Sequence, residues 1–122
     1  MHQYKFTLLL LKSLSEPPAV FGAFIDAVPR FAPKEFIGGN ESFVFQLVPE
    51  EQAYYNVLNT DEVMVCGDSG LIVGSGNKGA AIVIDESLQK GQSNQSATFG
   101  NERLGGGPDE FFELHTIELY ML

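Results

Sequence analysis

Two apolar runs rich in isoleucine and valine flank a glycine-rich turn within residues 71–85, and this stretch constrains the fold most strongly. The first run is Leu71-Ile-Val73, the second is Ala80-Ala-Ile-Val-Ile84, and Gly74-Ser-Gly-Asn-Lys-Gly79 joins them. β-Branched side chains fit a pleated, buried surface, and glycines supply the positive φ angles that tight turns need. The stretch therefore predicts a β-hairpin in the middle of a sheet.

The composition is that of a globular chain with a strong acidic excess. Of the 122 residues, 44% are hydrophobic and 19% are charged, which is typical of one domain with one core. Sixteen acidic and seven basic residues give a net charge of −9. Because this charge repels phosphate backbones and anionic lipid surfaces, nucleic-acid binding is not expected. The charge suits a basic protein partner, or it serves solubility alone.

The sequence also indicates in which cellular compartment the protein is expected. Cys66 is the only cysteine, so an internal disulfide is excluded and a reducing compartment is favoured. The apolar run Phe6-Thr-Leu-Leu-Leu-Leu11 is shorter than the ~20 residues of a membrane span, and no signal-peptide cleavage site follows it. We therefore expect a cytoplasmic protein without a transmembrane segment, either free or peripheral to a membrane.

Alternating apolar residues predict further strands, whereas no stretch has the periodicity of an amphipathic helix. The predicted strands are residues 4–11, 19–26, 42–48, 52–58, 62–66 and 110–122. They make the chain mostly β. Residues 86–107 are polar and glycine-rich, and we expect them to form a long irregular loop, which in a compact domain is usually functional or specifically held.

Four local predictions follow from the pattern of these strands. Residues 4–11 are apolar on both faces, so we expect both faces to be buried. Gly22 predicts a bulge or a close approach of another backbone segment. In the strand 42–48 we expect the face with the larger side chains, Phe43, Phe45 and Leu47, to be buried. Burial would stabilise the fold by roughly 1.5–3 kcal/mol per side chain before the loss of conformational entropy is counted. The apolar register of the last strand changes after His115, which predicts a β-bulge.

Two motifs have the residue types of enzyme signatures but lack the sequence context that each signature requires. The glycines at Gly74, Gly76 and Gly79 match a dinucleotide fingerprint, but that chemistry needs a helix after the glycines, and a strand pattern follows here. Ser69 lies in a Gly-Asp-Ser-Gly motif like that of trypsin-like proteases. A serine nucleophile needs a histidine base, and His2 is the only histidine upstream. We interpret both motifs as turns.

The remaining candidate chemistry is sparse. The two histidines and one cysteine have no metal-ligand spacing, so we expect no metal site. Cys66 lies in an apolar strand and is interpreted as a core thiol in preference to a redox group. Glu41 is interpreted as a loop carboxylate and not as a catalytic acid. Glu118 lies between apolar residues of the last strand, where its carboxylate must face water or find a donor.

Six segments in a fixed order carry a resemblance to a known family. They are Val20-Phe-Gly-Ala-Phe24; Gly38-Gly-Asn-Glu41-Ser-Phe-Val-Phe45; Gly67-Asp-Ser-Gly-Leu-Ile-Val-Gly-Ser-Gly76; Ile82-Val-Ile-Asp85; Gly91-Gln-Ser93 with Ala97-Thr-Phe-Gly-Asn101; and Ile117-Glu-Leu-Tyr120. Together they resemble the TLDc domain, the C-terminal module of the oxidation-resistance proteins, which also follows TBC domains.

The resemblance implies a set of motif and candidate binding residues without catalytic, metal or cofactor residues. These are Gly39, Glu41, Gly74, Gly76, Gly91, Ser93, Thr98, Phe99, Asn101 and Glu118. Thr98 and Asn101 are expected to hold the long loop by hydrogen bonds from their side chains to the backbone. Glu41 is expected to brace the same region.

The resemblance also implies the architecture. It predicts a single domain over residues 1–122 that forms an antiparallel β-sandwich, with little helix and α+β character only at the margin. This domain resembles the C-terminal two-thirds or more of the family's domain, so we expect the usual N-terminal helix and strand to be lacking. An open sheet edge follows from that expectation, and open edges favour self-association.

The function implied is that of a non-catalytic protein-interaction module in oxidative-stress protection. Family partners include subunits of the vacuolar-type proton ATPase, and TBC-linked members act in vesicle traffic. Residues 86–107 and the acidic loops are the expected contact face. Two alternatives stay open: an enzyme that handles peroxide through the Cys66 thiol, and a β-sandwich that binds carbohydrate or another ligand.

Overall fold

The computed structural model describes residues 5–14, 18–28, 36–48, 50–67, 70–104 and 110–122. Within these ranges the chain forms nine strands and no helix. The strands are β1 Thr7–Ser13, β2 Val20–Ile25, β3 Phe43–Val48, β4 Gln52–Tyr55, β5 Met64–Gly67, β6 Gly70–Val73, β7 Ile82–Ile84, β8 Lys90–Gln92 and β9 Phe111–Met121. The start of the predicted first strand, Ser69 and residues 105–107 lie outside the described residues.

The nine strands form one antiparallel sheet in the order β4-β3-β2-β1-β9-β8-β7-β6-β5. The long strand β9 joins its two halves, because residues 111–113 pair with β8 while Leu114 and residues 116–121 pair with β1. Buried side chains from both halves form a single apolar cluster, which includes Leu9, Phe21, Ile25, Val44, Met64, Val73, Ile82 and Ile84. The predicted mostly-β, sandwich-like class is confirmed.

The predicted hairpin is present, but its place in the sheet differs from the prediction. Strands β6 and β7 pair antiparallel, with Val73 opposite Ile82. They lie second and third from one end of the strand order, and β9 occupies the middle. Local periodicity reports that a strand is buried, whereas its rank in the sheet depends on which distant strand pairs with it. The predicted long loop is also interrupted, by the short strand β8.

Two predicted irregularities are confirmed. The register of β1 against β9 passes from Lys12 opposite Thr116 to Ser13 opposite Leu114, which leaves His115 as the extra residue of a bulge. A side chain at Gly22 would clash with the carbonyl oxygen of Leu9, so the close backbone approach is also present. The bulge lies where β9 passes from one half of the sheet to the other.

The prediction for the faces of β3 was right for Phe45 and wrong for the core face. Val44 is fully buried in the core, whereas on the opposite face Phe45 is buried, Phe43 is half-buried and Leu47 is 46% exposed. Both faces of this strand are apolar, so alternation alone did not identify the core face. Pairing decides it, because Val44 lies opposite the buried Ala23 of β2. We call the side of β4-β3-β2-β1-β9 that faces away from the core the outer face.

Candidate functional site

The glycine turn after β6 packs closely on the loop after β8. Gly74 has a φ of +80°, and a side chain there would lie 3.1 Å from the buried ring of Phe99. A side chain at Gly76 would lie 2.6 Å from the backbone nitrogen of Ala97. These glycines therefore allow two loops to touch. The strand β7 follows the turn, so the helix that a dinucleotide site needs is not there.

Asn101 is the centre of the loop after β8 and is buried, with 1% of its surface exposed. Its Oδ1 accepts hydrogen bonds from the Ser96 hydroxyl (2.6 Å) and the Ser96 backbone N–H (3.2 Å). Its Nδ2 donates to the carbonyl oxygens of Asn94 (3.0 Å) and Glu102 (2.7 Å). The amide is fully occupied by the loop itself, as the sequence predicted for a holding role.

Thr98 fastens this loop to the glycine turn. Its hydroxyl oxygen accepts a hydrogen bond from the Ser75 N–H at 3.1 Å, and the Thr98 N–H donates to the Ser75 carbonyl oxygen at 3.3 Å. The carbonyl oxygen of Thr98 accepts from the Val57 N–H at 2.9 Å. Thr98 is fully buried, so this predicted holding role is also present in the structure.

Gly91 and Ser93 fix the start of the same loop. A side chain at Gly91 would clash with the carbonyl oxygen of Val83 and would lie 2.7 Å from the ring of Phe112. The buried Ser93 hydroxyl accepts a hydrogen bond from the Leu104 N–H at 2.8 Å, which closes the loop on itself. Both positions therefore serve packing and closure.

The turn that contains Gly39 and Glu41 is held by Asp26. The Asp26 carboxylate accepts hydrogen bonds from the N–H groups of Gly39 and Glu41 and from the Ser42 hydroxyl. The Glu41 side chain is exposed, so the structure places its backbone, and not its carboxylate, in this network. Sequence analysis missed Asp26. The only signal was an aspartate at the end of a strand that precedes a glycine-containing turn.

Asn56 joins this turn to the loop after β4 and was also missed. Its Nδ2 donates to the carbonyl oxygens of Gly39 (3.2 Å) and Thr60 (2.8 Å). The next residue, Val57, donates its N–H to Thr98. The Gly39 turn, residues 56–60 and the loop after β8 are thus one connected unit, which we call the loop cluster.

Glu118 lies apart from the loop cluster, on the outer face. It pairs with Leu10 of β1, and the Tyr120 hydroxyl donates a hydrogen bond to its carboxylate. This hydrogen bond, together with the negative charge of Glu118, raises the pKa of Tyr120. The Glu118 carboxylate therefore has the hydrogen-bond donor that a carboxylate between apolar residues needs.

The buried polar groups of the loop cluster are engaged in hydrogen bonds within the protein. Every buried side-chain nitrogen and oxygen in the described residues has a hydrogen-bond partner. Among the same residues, no three histidine, cysteine or acidic side chains converge to hold a metal ion. Cys66 is half-buried on the edge strand β5, and His115 contacts Thr116 through Nδ1 at 2.7 Å. The described segments include no helix that is long and apolar enough to cross a membrane.

The surface where the loop cluster meets the glycine turn after β6 is polar. Asn77, Lys78 and Gln95 line a shallow groove of about 380 Å³ that reaches the buried Asn101. Lys78 Nζ donates to Gln95 Oε1 at 3.1 Å, and Gln95 Nε2 donates to Glu102 at 3.0 Å. Such exposed polar groups on a firmly held loop are suited to contact with another protein.

These features define the class: a β-sandwich-like domain in which Thr98, Asn101 and several motif glycines hold one connected set of loops. Within that class, the family model of the TLDc domain matches residues 1–122. The chain belongs to the TLDc domain family, which confirms the resemblance seen in the sequence.

Three curated relatives show the same relationship. The chain is 34% identical to Oxidation resistance protein 1 of Schizosaccharomyces pombe over 84% of its length, and 30% identical to Oxidation resistance protein 1 of Yarrowia lipolytica over 83%. It is 27% identical to GTPase-activating protein skywalker of Drosophila melanogaster over 98%. The chain spans 56%, 44% and 22% of these relatives, in that order.

Proposed function

We propose that this chain is a non-catalytic protein-interaction module that acts in protection against oxidative stress, with residues 1–122 as one domain. Two relatives are named for oxidation resistance, which supports the biological role. The observation that carries the non-catalytic part is the loop cluster. Its buried amide and hydroxyl groups, including all four hydrogen-bonding positions of Asn101, are occupied by the protein itself.

The proposed contact face is β8 with the start of the loop after it, from Lys90 to Asn94, together with the groove beside Lys78; we call this face the loop rim. Its partners are subunits of the vacuolar-type proton ATPase, and its setting is the cytoplasmic surface of vesicles or organelles. The support is the family membership and the rigid loop that presents exposed polar groups. A GTPase-activating role is not proposed, because the chain spans only 22% of the relative that is named for that activity.

A pull-down of vacuolar-type proton ATPase subunits tests the proposal. Lys90, Gln92 and Asn94 are changed together to alanine, and recovery of the subunits is compared with that of the unchanged chain. A control changes the exposed Lys5 and Lys12 to alanine, which removes positive charge away from the loops of the expected contact face. We expect recovery to fall for the loop variant only. Equal recovery would remove the loop from the proposal, and no recovery by the unchanged chain would remove the named partner.

Thiol alkylation of the native chain tests the alternative of peroxide chemistry at Cys66. A peroxide-reactive cysteine is an exposed thiolate near positive charge. Cys66 is half-buried beside the buried Val65 and pairs with Leu71. We therefore expect native Cys66 to react much more slowly than the same thiol in the unfolded chain. Labelling at similar rates in both states would revive the enzyme alternative.

A further inference from the structure

The outer face carries a continuous row of large apolar side chains. Cross-strand pairing places one residue from each of five neighbouring strands in this row, in the order Tyr120, Leu8, Phe24, Phe43 and Tyr55. The ring of Phe43 lies 5.3 Å from both the ring of Phe24 and the ring of Tyr55. A second row beside it holds Leu10, Gly22, Phe45 and Ala53.

The sequence pattern of these strands is that of a sheet covered on both sides. Strands β1 to β3 are apolar at inward and outward positions alike, as in sheets with both faces buried. Here most inward positions are buried, whereas the outward positions range from the buried Phe45 to the half-buried Leu8, Phe24 and Phe43. On the outer face, Tyr55 is 61%, Tyr120 is 47% and Leu47 is 46% exposed. A shallow groove of about 500 Å³ lies over Phe43 and Phe45.

The border of the outer face is mainly acidic. Glu51 lines the groove at the β4 side, Glu118 lies on β9, and the exposed Glu41 lies two residues before β3. Lys12 is a basic residue on the outward side of β1. The chain as a whole carries a charge of −9. A ligand for this surface therefore needs an apolar stripe with positive charge beside it.

We propose that the outer face binds an amphipathic helix of a partner protein, with an apolar stripe flanked by lysine or arginine. A helix is one of the two elements that cover a sheet face, the other being a second sheet. The row spans five strands, or about 19 Å, which equals the length of a helix of about 13 residues. A second copy of this chain would bring another charge of −9, so like charges disfavour it. This surface is separate from the loop rim of the proposed function.

Binding of two synthetic helical peptides tests this inference. One peptide of about 16 residues has a leucine stripe flanked by lysines, and its match has glutamates in place of the lysines. The full chain is compared with an outer-face variant, Tyr55→Ser with Tyr120→Ser. The control variant is Phe111→Ser with Leu58→Ser, whose side chains have similar exposure, 62% and 56%, outside the row.

We expect the lysine peptide to bind the unchanged chain at least about tenfold more tightly than the glutamate peptide. The outer-face variant should lose about tenfold in affinity, and the control variant less than about twofold. Because all substituted side chains are exposed, circular dichroism and melting temperatures should show that both variants stay folded. The loop variant with alanine at Lys90, Gln92 and Asn94 should bind the lysine peptide normally.

Four outcomes would overturn the inference. They are no binding of the lysine peptide, equal binding of both peptides, equal losses in the two serine variants, and self-association through this face. The last would appear in light scattering as a dimer that persists in Ala53→Pro but is lost in Tyr55→Ser with Tyr120→Ser. Failure of the ATPase pull-down alone would leave the inference standing, because the pull-down tests the loop rim.

Discussion

Asp26 and Ser42 hold each other reciprocally across the entrance to β3. The Ser42 hydroxyl donates to Asp26 Oδ1 at 2.9 Å, and the Asp26 N–H donates to the Ser42 hydroxyl oxygen at 3.1 Å. The same carboxylate accepts the N–H groups of Gly39 and Glu41. One aspartate thereby orders the turn that leads into β3, and that turn contacts Asn56 of the loop cluster.

Removing the Asp26 carboxylate should destabilise the domain. Asp26→Ala leaves two turn N–H groups and a buried serine hydroxyl without their acceptor, and we expect a loss of about 1–3 kcal/mol in the free energy of unfolding. Urea denaturation measures this loss. Glu41→Ala is the matched comparison, because its side chain is exposed in the same turn. An unchanged stability in Asp26→Ala would contradict the assignment, and an unchanged melting temperature and partner binding in Glu41→Ala would remove the bracing role predicted for Glu41.

Substitution of Asn101 should destabilise the domain more than substitution of an exposed asparagine. Asn101→Ala removes four hydrogen bonds in a buried site, and we expect it to cost at least about 2 kcal/mol of the free energy of unfolding. Asn101→Asp keeps the acceptor for Ser96 but loses the donors to Asn94 and Glu102, so it should also destabilise the domain. Denaturant unfolding checks both, with the exposed Asn77→Ala as control. A stable Asn101→Ala would mean that the loop is held by other contacts.

Structural features that depend on residues close together in the chain were predictable from local sequence patterns. The bulge at His115 was predictable because the apolar register changes within a few residues, and the hairpin because its turn lies between its two strands. The family motifs also located Thr98 and Asn101. Asn101 bonds to backbone seven residues away, but Thr98 bonds to Ser75, 23 residues away, so the resemblance and not a local pattern identified Thr98.

Relationships between distant residues were not predictable in the same way. The donors to Asp26 lie 13–16 residues along the chain, so no short motif reports them. The core face of β3 depends on the partner of Val44, because both faces of that strand are apolar. The outer face became visible only when pairing aligned Leu8, Phe24 and Phe43.

Gly91 should not tolerate a side chain. A methyl group there would clash with the carbonyl oxygen of Val83 in the paired strand and press on the ring of Phe112, neither of which moves cheaply. We expect Gly91→Ala to destabilise the domain by more than about 2 kcal/mol or to prevent folding. Gly100→Ala is the comparison. Gly100 has a φ of +60° but no atom closer than 3.9 Å, so only a backbone cost of about 1 kcal/mol is expected there. Thermal unfolding of both variants checks the difference, and equal melting temperatures would contradict it.

The Asp85 carboxylate should make the free energy of unfolding depend on pH. The Ser87 hydroxyl donates to its carboxylate at 2.6 Å, and this hydrogen bond lowers the pKa of Asp85 below its ordinary value. Because the folded state favours the charged form, the contribution is present above the unfolded pKa and is lost as the pH falls through the folded pKa. NMR titration of the Asp85 carboxyl carbon measures the pKa directly. Ser87→Ala should raise that pKa, and an unaltered titration would show that the hydrogen bond is not its cause.

The edge strand β4 should support weak self-association. The Asn56 N–H donates to the Ser42 carbonyl oxygen, and the alternation of an antiparallel pair then turns the N–H groups of Ala53 and Tyr55 away from β3. They point to the outer side of β4, which is the last strand of the sheet among the described residues. Two copies can pair there with Ala53 of one opposite Tyr55 of the other. A strand of four residues buries less than the roughly 1,000 Å² of a stable interface, so we expect dimers only at high concentration.

Light scattering over a range of concentration and salt measures this association. Added salt should strengthen it, because each copy carries a charge of −9. Ala53→Pro should abolish it without loss of a bond to β3, since proline removes only the outward N–H. Ala53→Val keeps that N–H and should still associate. A monomer at every concentration, or association that survives in Ala53→Pro, would show that β4 is not the self-pairing edge.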